Sequence, residues 1–134
     1  MRSLFRLLLL PVAVVGALVG AARGQPALPA VAAALAAHFR AQGLTVEPRA
    51  VKVLSKEPKS SFELRFKELP VPVLISVYST SPAAANAVKT IGDRPSHAYP
   101  RRNENLVMVL PFWDESVPQL PKVLEAFASF KHGN

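Results

Sequence analysis

The sequence predicts an α+β domain in which three helices accompany a mainly antiparallel sheet of about five strands, in the order α-β-β-β-α-β-β-α. Three observations lead there. Apolar residues recur at helical spacing in two stretches and a third carries helix start and stop signals, apolar residues alternate with charged ones in SSFELRFK, and strand-like segments that follow one another directly are joined by short links. Helices then pack on the sheet as the second layer of the domain.

The first helix is LPAVAAALAAHFRAQ. It places Leu28, Val31, Leu35, His38, Phe39 and Gln42 on one side, and Gly43 stands where the helix stops. RAVKVLS and SSFELRFK follow as two strands separated by KEPK. The second turns Phe62, Leu64 and Phe66 one way and Glu63, Arg65 and Lys67 the other, so it is half-buried and pairs with its predecessor as a hairpin. After ELPVP, VLISVYS is a third strand. Ser81 caps the next helix, SPAAANAVKTIG, with Pro82 in its first position and Gly92 at its end. Two short strands, Ser96 to Arg101 and Leu106 to Leu110, flank the triplet NEN. Without a glycine, the positive-φ place of that turn falls to an asparagine, with Asn105 expected in a loop of three to four residues. LPKVLEAFASFK closes the chain as a helix built on Leu120, Val123, Leu124, Phe127 and Phe130, with Pro121 tolerated in its first turn.

Residues 1–24 stand apart from this domain. Arg2 and Arg6 precede an uncharged, mostly apolar run from Leu7 to Ala22, and small residues at Ala22 and Gly24 suit cleavage before Gln25. The expectation is a secretory signal followed by a single domain, residues 25–134. An uncleaved membrane tether is the alternative, although a spanning helix needs about 20 apolar residues and this run is shorter and contains Pro11. Removing Arg2, Arg6 and Arg23 lowers the 16 basic residues to 13 against 9 acidic ones, a net charge of +4. So modest and dispersed an excess argues against nucleic-acid binding. The chain has no cysteine, which excludes disulfides and a lipid-modified cysteine and leans the reading toward a bacterial periplasm or envelope.

No catalytic motif emerges: a glycine-rich phosphate loop, a G-x-S-x-G elbow and an H-E-x-x-H pair are all absent. With three histidines and no thiolate, no metal site and no cofactor are expected. His38 reads as a boundary residue of the first helix. Asp114 and Glu115 read as acids near a helix start, and Phe112 with Trp113 as aromatic closure of one end of the core. His97, Tyr99 and Arg101 alternate along one strand, which makes them the candidate set for a small hydrolase-like enzyme. Pro95, Pro100 and the charges beside them fit a solvated edge strand better.

The second face of the sheet leaves something over. If the helices cover the side showing Val51, Val53, Phe62, Leu64, Phe66, Val73, Ile75 and Val77, the other side still shows Leu54, Leu74 and Tyr78, with Val107 and Val109. A continuous patch of that size does not normally face water. Either one helix crosses to that side, or the sheet meets a partner, a copy of itself or an apolar ligand. Lys52, Lys56, Arg65 and Lys67 surround the same face. The expected function is therefore a non-catalytic binding domain that meets a protein partner or an anionic, apolar envelope ligand through Lys52, Leu54, Lys56, Arg65, Lys67, Leu74 and Tyr78.

Overall fold

The computed structural model describes residues 28–52, 57–93, 98–114 and 116–132. Its elements are α1 (Ala30–Ala41), β1 (Val46–Ala50), β2 (Ser60–Phe66), β3 (Val73–Val77), α2 (Ser81–Asp93), β4 (Tyr99–Asn103), β5 (Leu106–Leu110) and α3 (Leu120–Ser129). The α+β class and the element order agree with the sequence reading. The expected signal segment lies outside the described residues. Among those described, no helix is long and apolar enough to cross a membrane.

The five strands form one antiparallel sheet in the order β1-β2-β3-β5-β4. Because β3 and β4 both run antiparallel to β5, they are parallel to each other, and the chain between them must travel back along the sheet. Helix α2 makes that return. It packs over β5 and β4 on the face opposite to α1 and α3, against Tyr78 and Val107. The helices thus occupy both faces, and one of them crosses to the side expected to stay open.

The main core lies on the α1/α3 face. Leu35, Phe39, Val123 and Phe127 from the helices meet Phe62, Leu64, Ile75, Met108 and Leu110 from the sheet, all essentially without solvent exposure. Side chains of this size each contribute about 1.5 to 3 kcal/mol on full burial, so this layer carries most of the favourable free energy. Phe39 stands edge-on to Phe66 with ring centroids 4.9 Å apart. The helix bearing it stops where expected, at Gly43 with φ 87°, a conformation that costs glycine nothing. Leu28, expected on the buried side, precedes the helix and is exposed.

Strand β1 lies three residues earlier than RAVKVLS. Buried Val46 pairs with Phe66, and the ladder runs to Ala50 opposite Phe62, so the inward places belong to Val46, Pro48 and Ala50. Val51 therefore does not join the helix-covered side as expected, and Val53 lies outside the described residues. Two outward places on the edge of β1 are closed to further pairing. Lys67 N–H donates to the Thr45 carbonyl, which by alternation turns the Val46 carbonyl and the Pro48 nitrogen outward. Proline has no donor there, and the Arg40 guanidinium donates to the Val46 oxygen from Nε at 3.2 Å and Nη2 at 2.9 Å.

Two boundaries of α2 differ from expectation. Its cap is Thr80, whose Oγ1 accepts the Ala83 N–H at 3.1 Å, so Ser81 is already helical. Gly92 does not stop the helix, which continues to Asp93.

The turn between β4 and β5 also corrects the sequence reading. The described strand begins at Tyr99, Ser96 lying outside the described residues; the loop has two residues, and positive φ falls on Glu104 at 51° rather than on Asn105. Both asparagines are committed elsewhere. Asn103 Nδ2 donates to the carbonyls of Phe127 and Phe130, while Asn105 Nδ2 donates to the Tyr78 carbonyl and its own carbonyl accepts the Tyr78 N–H. A non-glycine residue in this region costs about 1 kcal/mol; the His132 ring lies 3.5 Å from the Glu104 carboxylate and pairs with it as an ion only when protonated. Glu104→Asn is expected to raise stability by about 0.5 kcal/mol, because asparagine tolerates this conformation better. A chemical denaturation midpoint below that of the parent would contradict this account.

Candidate groove on the α2 face

Helix α2 leaves β2 and half of β3 uncovered, and a groove of about 430 Å³ lies there. Its floor is built by the period-two alternation of the strands. Ser61 and Glu63 of β2, Leu74 and Ser76 of β3 and Val109 of β5 all point to this side. Ala87, Thr90 and Ile91 of α2 form one wall, and Val51, Lys52, Glu57 and Pro58 of the β1–β2 connection form the other. Such a volume is within the range of small-ligand sites.

The groove mixes apolar surface with a few fixed polar groups. Leu74 remains 37% exposed at the floor, directly beside the Ser61–Ser76 hydroxyl pair at 3.0 Å. Tyr78 is held through both backbone groups by Asn105 and contributes a buried ring. Burial pushes the Tyr78 hydroxyl above its ordinary value, and the Glu57 carboxylate pushes it further. The hydroxyl therefore stays protonated at neutral pH and acts as a hydrogen-bond donor as well as an acceptor.

Of the residues expected on the binding face, Lys52, Leu74 and Tyr78 come together at this groove. Arg65 and Lys67 do not. They line a shallower hollow with Arg40, Thr45 and Glu47 at the other end of β2, and Arg65 sits across the ladder from Glu47, where opposite charges stabilise a strand pair. Leu54 and Lys56 lie outside the described residues. The expected patch is also smaller than the strands alone implied, because α2 buries Tyr78 and Val107. The sequence reading missed Glu57, Ser61, Glu63, Ser76, Thr90 and Ile91. A signal for the helical wall was present: Ala84, Ala87, Val88 and Ile91 follow i, i+3, i+4, i+7 spacing, which marks a face that must meet a sheet.

The remaining candidates resolve into distinct roles. His38 joins two helices, its Nε2–H donating to the Ala126 carbonyl at 2.8 Å with Ser129 Oγ at 3.1 Å. Asp114 Oδ1 accepts from the Ser116 N–H and hydroxyl, and these bonds hold its carboxyl below the usual range. It thus shapes the loop before α3 rather than capping the helix, whose N-cap is Gln119. Glu115 and His97 lie outside the described residues. Tyr99 and Arg101 do share a face, but they converge on Trp113. Phe112 packs against the main core as expected, whereas Trp113 is 41% exposed.

No protein-family model, curated protein or solved structure matches the chain. The groove's chemistry therefore has to be read from its own residues. Among the described residues, no group of three or more His, Asp or Glu side chains is placed to hold a metal ion. The arrangement offers shape, apolar contact and hydrogen bonding.

Proposed function

We propose that this protein is a small exported, non-catalytic binding module that takes an apolar-bodied ligand of the cell envelope into the α2-face groove. The observation that carries this reading is Leu74, a large apolar side chain left exposed on the floor of a concavity whose other residues include a buried tyrosine and a hydroxyl pair. Export rests on the charged start and apolar run of residues 1–22.

A neutral solvatochromic dye tests the groove without presupposing its natural ligand. Leu74→Ser is expected to weaken dye binding by about tenfold while costing about 1 kcal/mol of stability, since the side chain is only partly exposed in a strand paired on both sides. Undiminished dye binding by that variant excludes the groove. Unfolding of the variant would instead make Leu74 a core residue and remove the support. Protein recovered from its native envelope supplies the second check, through an intact mass that begins at Gln25; a full-length mass in the membrane fraction establishes the tether instead.

A further inference from the structure

We propose that Tyr99, Arg101 and Trp113 form a second surface, a docking point for an acidic peptide segment of a partner protein. The three side chains come from the edge strand β4 and the loop after β5, outside both hollows described above. Arg101 Cζ lies 5.2 Å from the Trp113 ring centroid, over the ring. Tyr99 lies against the same ring, with centroids 5.6 Å apart.

This stacking orders the guanidinium. Arg101 Nη1 donates to the Pro100 carbonyl at 3.0 Å, which leaves the other N–H groups of the guanidinium available as donors. Among the described residues, no carboxylate lies within ion-pair distance of Arg101, and neither the Trp113 indole N–H nor the Tyr99 hydroxyl has a hydrogen-bond partner. Among the described residues, the guanidinium, the indole and the phenol thus keep donors to offer beside one exposed ring.

A carboxylate satisfies that set. It accepts two parallel bonds from a guanidinium fork, and it complements a domain whose formal net charge without residues 1–24 is +4. A peptide fits better than a sugar, since the guanidinium already occupies a face of the ring on which a sugar would stack. Trp, Tyr and Arg are also the residues most enriched where protein partners concentrate their binding energy.

Trp113 is the only tryptophan in the chain, so its emission reports this surface directly. Titration with a short peptide alternating Glu and Leu is expected to give a saturable change in emission. Affinity should fall about tenfold when Gln replaces Glu in the peptide, and about tenfold in the Arg101→Gln variant of the protein, the loss of one charge-assisted contact. The far-ultraviolet dichroism of that variant should be unchanged, because Arg101 is exposed. Three results would overturn the proposal: no saturable change up to millimolar peptide, equal affinity for the Gln peptide, or undiminished affinity in Arg101→Gln. Acetate that reproduces the change at the same carboxylate concentration would also overturn it, by making the cluster a simple anion site.

Discussion

Truncation of Phe39 to alanine is expected to destabilise the domain by about 4 kcal/mol, the range found when a fully buried phenylalanine is emptied from a core. Phe39 has no solvent exposure, faces Phe66 across the α1–sheet boundary and belongs to the main core. The helix carrying it is held mainly by this apolar face. Among the described residues α1 has no side-chain cap and no acid in its first turn, so packing rather than local capping keeps it formed. Domains of this size are stable by about 5 to 15 kcal/mol, which means that one residue supports a large part of the total. Urea denaturation measures the effect, with Phe39→Leu, which removes less of the side chain, as a control expected to cost about half as much. A loss below about 1 kcal/mol for alanine would show that α1 adds little to the core.

Replacing Asn103 has the second largest expected effect. Its Nδ2 donates to the carbonyls of Phe127 at 2.8 Å and Phe130 at 2.7 Å, at the end of α3, where the Phe127 carbonyl otherwise accepts only a 3.3 Å bond from the Phe130 N–H. Asn103→Ala removes both bonds and is expected to cost about 2 kcal/mol. Asn103→Asp should be worse at neutral pH, at about 3 kcal/mol, because a carboxylate would face two carbonyl oxygens at the negative end of a helix. The sign with pH follows. The folded state disfavours the charged form, so the folded pKa of that Asp lies above its unfolded value. The extra loss is full above the folded pKa and shrinks as the pH falls through it, when the acid becomes protonated and donates to one carbonyl. Denaturation midpoints of the two variants at neutral pH and near about pH 4 measure this. If Asp is no worse than Ala, or their difference does not narrow in acid, Asn103 is not the clamp described.

These two residues also separate what was legible in the sequence from what was not. Phe39 belongs to a helical repeat that reads directly as a buried face. Asn103 looked like a turn residue, since asparagine is the usual non-glycine occupant of positive φ. Its partners Phe127 and Phe130 lie more than twenty residues away along the chain, and only packing of α3 against β4 brings them together. The strain consequently moved to Glu104, a residue that local propensity does not favour there.

The candidate site shows the same division. Alternation in SSFELRFK fixes which side of β2 carries Phe62, Leu64 and Phe66 and which carries Glu63 and Arg65, because the side-chain period of a strand is two. Leu74 and Tyr78 on one face follow from the same rule. Whether that face stays open is a different kind of question. It depends on β5 lying between β3 and β4, which forces α2 to carry the chain back and leaves only a groove where the strands alone suggested a whole surface.

The sequence by itself determined the element order, the apolar faces of β2, β3, α1 and α3, and the stop at Gly43, because each follows from local periodicity and backbone sterics. Tertiary structure alone decided the side on which α2 lies, the earlier register of β1, the roles of Asn103 and Asn105, and the meeting of Tyr99 and Arg101 with Trp113. Each of these joins segments distant in sequence, and the pairing free energy that selects them exists only once the sheet has assembled.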